Sequence, residues 1–270
     1  MSALRDRVAA ELSGLLGDWG LRDPWSEVPG TSTRTEYAPH SGLYTLARLD
    51  FQGALIAREF RARGDVSRDK ALGVVITAGP PGAGKTSRLR QFPEFAGFRD
   101  IDADGFKDPL LREEHRRGRL EEWRRQVLAD GKPLALRELS SYVHAESTEV
   151  ANMMREESLR RGENVVIHGT LASAEYATHL LARLSAHGYQ KITVFDVEVP
   201  EATAVERALR RWWEERNAEP GTVLGGRFVP AEVVRMHYEG GGDTSRCAEN
   251  AERFADTASD LGWNVVRLRG

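Results

Sequence analysis

Apolar residues recur along this chain in two rhythms. At its start Leu4, Val8, Leu12, Leu15 and Leu16 follow one another at helical spacing, and Leu43, Leu46, Phe51, Leu55, Ile56 and Phe60 repeat the pattern over 43–62. Between them a polar stretch, DPWSEVPGTSTRTEYAPHSG, predicts a loop through its prolines, glycines and hydroxyls. Residues 1–70 therefore read as a helical extension packed on a core domain of residues 71–270. From residue 73 the rhythm changes to short β-branched runs at 74–78, 98–102, 164–168, 191–199 and 264–268, separated by long stretches of helical periodicity. Runs this apolar, alternating with helices, predict parallel strands covered on both faces, because right-handed crossovers place the helices there. The expected fold is α/β, a doubly wound and mostly parallel five-stranded sheet. No internal repeat interrupts it, and GGGD at 240–243 reads as a flexible loop tip.

The first strand runs into VVITAGPPGAGKTS, which fits G-x-x-x-x-G-K-[ST] at Gly79, Gly84, Lys85 and Thr86, after a strand and before a helix. The loop comprises Gly79, Pro80, Pro81, Gly82, Ala83, Gly84, Lys85, Thr86 and Ser87. Its glycines let successive N–H groups point inward at phosphate oxygens, and the following helix adds its positive end. Lys85 is placed to reach the β- and γ-phosphates, Thr86 to ligate Mg²⁺ and Ser87 to donate to the α-phosphate. The chain is thus expected to be a P-loop NTPase-type protein that binds ATP with Mg²⁺.

Composition narrows the partners. A net charge of −3 among 270 residues gives no electrostatic footprint for nucleic acid. Cys247 is the single cysteine, so no intrachain disulfide forms. No stretch approaches the ~18 apolar residues of a membrane span, and the first residues lack a signal-peptide core, so a cytoplasmic protein without membrane contact is expected.

Among P-loop chemistries, a guanine-reading N-K-x-D is missing. Asp196, after the run ITVFD, is the nearest candidate for the acid of a hydrolytic site, and hydrolysis is the weaker reading. Phosphoryl transfer needs a carboxylate to take the acceptor's proton and arginines to neutralise charge. RDIDADGFKD supplies Asp102 and Asp104 at the carboxyl end of the second strand, where ligands of such sheets bind. AVERALRRWWEERN places Arg207 and Arg211 one helical turn apart, and GTVLGGRFVP brings Arg227 on a glycine-rich loop, together resembling a closing lid.

These segments resemble the zeta-toxin family of P-loop kinases over about residues 73–235. Its studied members phosphorylate a sugar hydroxyl of UDP-N-acetylglucosamine and so block bacterial wall synthesis. GPPGAGKTS is similar to the family's phosphate loop and IDADGFK to its I-D-x-D-x-F-K signature, so the resemblance implies Asp104 as catalytic base. NVVIHGT is similar to its third strand, and Thr170 inherits a substrate contact. The family usually has a glutamate where His168 stands and an acid near Asn152, which leaves the acceptor open. His144 and Ser147, in ELSSYVHAESTEVANMM, are further candidates to face it. Arg211 with Trp212, and Arg227 three residues before Pro230, resemble the family's lid arginines. The resemblance also implies a small helical antitoxin as partner. Kinases of another small molecule, such as an antibiotic or another nucleotide derivative, and a nucleotide-regulated interaction protein without transfer activity are the alternatives.

Overall fold

The computed structural model describes residues 2–38, 42–64, 66, 73–218, 223–238 and 243–270. The glycine-rich tip expected at 240–243 lies, apart from Asp243, outside the described residues, as does the boundary expected at residues 70 and 71. Eleven α-helices occur among the described residues: α1 Ser2–Asp18, α2 Thr33–Tyr37, α3 Leu46–Arg63, α4 Lys85–Leu89, α5 Ala103–Arg116, α6 Glu121–Arg124, α7 His144–Arg160, α8 Ala174–Ala186, α9 Glu201–Asn217, α10 Ala231–Arg235 and α11 Arg246–Asp260. The strands are β1 Gly73–Ala78, β2 Arg99–Ile101, β3 Val165–Ile167, β4 Lys191–Asp196 and β5 Asn264–Arg269. No helix among the described residues is long and apolar enough to cross a membrane. The chain forms two compact units, each assembled from three stretches: Met1–Phe60, Ala103–Ala151 and Leu209–Pro230 in the first, Arg61–Asp102, Asn152–Ala208 and Ala231–Gly270 in the second.

The second unit holds the sheet, with order β2-β3-β1-β4-β5 and every pairing parallel. Val74, Val75, Ile76, Val165, Val166, Ile167, Ile192, Val194 and Phe195 are buried, as expected of strands covered on both faces. The chain leaves β1 for β2 on one side and later places β4 on the other, so the loop after β1 lies at the switch point where such sheets bind ligands. β4 stops short of the predicted 191–199: beyond Asp196, Glu198 turns to accept a hydrogen bond from Ser245 Oγ at 2.7 Å. β5 is an edge strand, and Val266 is left exposed.

The first unit is helical. Val8, Leu12 and Leu16 line the buried face of α1, while Leu4 is exposed. The stretch predicted as loop contains α2, started by Ser32, whose hydroxyl accepts from Thr35 N–H at 3.2 Å. The second helix starts at Leu46 rather than residue 43, and both Leu43 and Leu46 are exposed. Inside this unit Arg48 of α3 is buried between two carboxylates, Glu114 of α5 at 2.8 Å and Glu146 of α7 at 2.6 Å. Tyr37 OH donates to Glu114 and Gln52 Nε2 to Glu146, so the acids have further donors, as buried charges need.

Candidate functional site

The loop after β1 is shaped by glycines that tolerate no substitute. Gly79 and Gly82 take φ of 129° and 86°, and a Cβ on either would stand 2.2 Å from a backbone oxygen, Val197 O or Ala204 O. Gly84 also has positive φ, 94°, at the start of α4. Ala83 N–H closes the loop on Pro80 O at 3.2 Å. Lys85 Nζ arches over the loop to donate to Gly79 O at 2.6 Å and Pro80 O at 3.1 Å. Thr86 and Ser87 expose their side chains in the first turn of α4, where helix geometry leaves N–H groups without partners inside the helix. Gly79 N–H donates to Thr170 O at 3.1 Å, and Thr77 Oγ1 and Gly169 exchange two hydrogen bonds, tying the segment after β3 to this loop. Thr170 Oγ1 accepts from Ala172 N–H at 3.3 Å. The next residue, Leu171, is buried at φ 56°, a conformation that costs a branched side chain about 1–3 kcal/mol. Asn250 Nδ2 holds its carbonyl at 3.0 Å.

In the first unit Asp104 lies in the opening turn of α5. Lys107 Nζ approaches its Oδ1 at 2.9 Å and Arg227 Nη1 its Oδ2 at 2.6 Å, while Arg227 Nη2 also donates to the Asp104 carbonyl at 3.1 Å. Burial would raise the Asp104 pKa, but Lys107 and Arg227 outweigh it and hold the carboxyl well below the usual range. His144, first residue of α7, faces this cluster; burial, then Lys107 and Arg227, push its imidazole down to about 3 against the opposing pull of Asp104. Asp108 carries Arg137 as a two-pronged partner at 2.9 and 2.7 Å. Arg211 is exposed on α9, and its neighbour Trp212 is fully buried with Nε1 donating to Glu138 Oε1 at 2.8 Å. No contact joins Arg211 to Asp104 or Arg227 among the described residues. Ser147 is fully buried and spends its hydroxyl on His144 O at 2.9 Å.

The remaining candidates lie in the second unit. His168 Nε2 pairs with Asp100 Oδ1; burial opposes its charge, but Asp100 and Asp102 prevail and raise its pKa. Asn152 Oδ1 accepts from Arg155 Nη1 at 2.9 Å, and the two line a cavity of about 320 Å³ with Tyr176 and His179. Arg207 Nη1 reaches Ala83 O at 3.4 Å. Asp196 ends β4 with Oδ1 lacking a hydrogen-bond partner, and burial beside Glu198 pushes its carboxyl up to about 6. Sequence reasoning missed Lys107 and Asp100. The first stands one helical turn after Asp104, a spacing that signals a pair; the second is joined to His168 only by strand pairing.

The sequence profile of the Zeta toxin family matches residues 121–259. No curated protein matches the chain. Among solved structures, the fold resembles that of a protein from the PezAT chromosomal toxin–antitoxin system of Streptococcus pneumoniae, with a TM-score of 0.55 and 17% identity over 84% of this chain and 78% of that one. A candidate kinase of Chloroflexus aurantiacus matches with a TM-score of 0.40 and 15% identity, over 74% of this chain and 89% of that one, too slight a likeness to define a fold.

Proposed function

The chain belongs to the zeta toxin family, and on that premise we propose that it is an ATP-dependent small-molecule kinase whose acceptor is a hydroxyl of a nucleotide sugar such as UDP-N-acetylglucosamine. The observation that carries this reading is the ion pair at 2.6 Å between Arg227 and Asp104, an arginine and a carboxylate far apart in sequence that transfer chemistry needs together. The loop from Gly79 to Ser87 supports the donor half: its glycine-enforced curvature, Lys85 and the first turn of α4 suit a chain of phosphates.

In the proposed reaction the acceptor O–H gives its proton to the Asp104 carboxylate. Its oxygen bonds to the γ-phosphorus as the bond to the β–γ bridging oxygen breaks and that oxygen keeps the electron pair. Lys107 keeps Asp104 ionised and aimed. Arg227, which bonds the carboxylate in this structure, is the arginine that developing phosphoryl charge draws away, and exposed Arg211 is the second. The exposed Thr86 hydroxyl fits a Mg²⁺ ligand, and the ion, when bound, neutralises charge on the β- and γ-phosphates.

Asp104→Asn should bind a fluorescent ATP analogue as the parent does and form no phosphorylated product when incubated with ATP and a bacterial metabolite extract. Mass spectrometry reads the gain of one phosphoryl group, and normal product from the variant would remove Asp104 from the reaction. The S. pneumoniae neighbour comes from a toxin–antitoxin system, and we infer the same arrangement here, with this chain as toxin and a helical antitoxin as partner. The His168–Asp100 pair favours a second reading, a kinase of the same mechanism acting on a different small molecule, because a paired imidazole stands where the resemblance leads one to expect a glutamate.

A further inference from the structure

The loop between α1 and α2 carries a tryptophan to the Asp104 cluster. Trp25 N–H donates to Asp23 Oδ1 at 2.9 Å and Ser26 N–H to Asp23 O at 3.2 Å, a turn that fixes the backbone where the indole departs. The indole meets the His144 ring edge to face, with centroids 5.4 Å apart and planes at 87°. Of the six tryptophans, Trp212 and Trp263 are buried and Trp19, Trp123 and Trp213 are half-buried. Trp25 alone is exposed, at 49%. His144 in turn faces Asp104, Lys107 and Arg227, and its ring nitrogens bond no group among the described residues. An apolar face held in place but left wet, beside an imidazole with open hydrogen-bonding capacity and a paired carboxylate, has the make-up of a small-molecule site: one flat wall and a few converging polar groups.

We propose that Trp25 is a wall of the acceptor subsite, with a ring of the acceptor lying against the indole and His144 hydrogen-bonding its polar groups beside Asp104. This rests on the reading of Asp104 as the base. The ring is either the sugar, whose C–H face packs on an aromatic, or the base of a nucleotide-type acceptor, whose plane stacks on one. The loop between α1 and α2 thereby acquires a role in substrate choice.

The test uses the full-length protein with ATP and acceptor taken from a bacterial metabolite extract, comparing the parent with W25F, W25L and D104N. Thermal unfolding and binding of a fluorescent ATP analogue identify folded variants. W25L keeps apolar bulk without an aromatic face, and should raise the acceptor KM about tenfold with kcat little changed, while W25F stays near the parent. Uridine diphosphate and N-acetylglucosamine, added separately as competitors, report which ring the indole takes; the one that does should inhibit the parent more strongly than W25L. Equal KM values in folded parent, W25F and W25L would overturn the proposal while leaving the kinase reading intact. Absence of product from the parent would overturn both, and loss of product in D104N alone, with Trp25 variants unchanged, would overturn only the role of Trp25.

Discussion

Asp104 stands between two cations, an unusual setting for the group we propose takes up the acceptor's proton. Lys107 comes from the same helix one turn later and Arg227 from the stretch before Pro230, so one cation is fixed by α5 itself and the other is brought from far along the chain. The sign of the effect is definite. A carboxyl with its folded pKa lowered stays ionised above its ordinary value near ~3.9, and loses its charge only as pH falls through the lower folded value. Asp104 should therefore stay ionised between about pH 5 and 8, and the proposed transfer should not fail there for want of its charge. Lys107→Met removes one cation while Arg227 and His144 stay beside the carboxylate, and should move the acid limb of kcat upward by about one to three pH units. Lys107→Arg should bring it back, since it restores a cation one turn away. A pH–rate profile that does not move in Lys107→Met would show that the lysine serves packing alone.

At the scale of elements, the phosphate loop shows how a glycine is dictated by a neighbour rather than by its own turn. Gly82→Ala sets a Cβ against the Ala204 carbonyl of α9 at 2.2 Å, in a backbone region that already costs a side chain about 1–3 kcal/mol. Loop and helix must separate, so the melting temperature should fall by several degrees and affinity for the fluorescent ATP analogue by more than about tenfold. Unchanged binding would mean the loop does not grip phosphate through that curve. The loop, the five strands and the long helices were legible in the sequence because each is fixed by local periodicity or by glycine demand. What was not legible came from elsewhere in the chain. α2 escaped notice because its capping pair is Ser32 with Thr35 rather than with an acid. Leu43 and Leu46 keep helical spacing with their equivalents yet are exposed, so periodicity alone placed the helix start too early. The motif singles out Asp104 as a candidate, but its tie to Arg227 and that of His168 to Asp100 arise only once the chain is folded.

At the scale of the molecule, the chain builds its helical unit from three separated stretches, and charge buried inside that unit joins two of them. Arg48 satisfies Glu114 and Glu146, all three almost wholly buried. Arg48→Met would strand two carboxylates in the interior, and removing one partner of such a pair costs about 3–5 kcal/mol. Chemical denaturation should show that loss, and Glu114→Gln with Glu146→Gln in the same chain should recover part of it. An unchanged midpoint would mean the acids find other donors. The third stretch has a different consequence. Because Arg227 belongs to the last portion of that unit to be translated, a nascent polypeptide carries Asp104 for much of its synthesis without the arginine that completes it. The pairing at Asp104 thus waits until the ribosome has added every residue from 105 to 227, although the carboxylate and Lys107 leave it almost together.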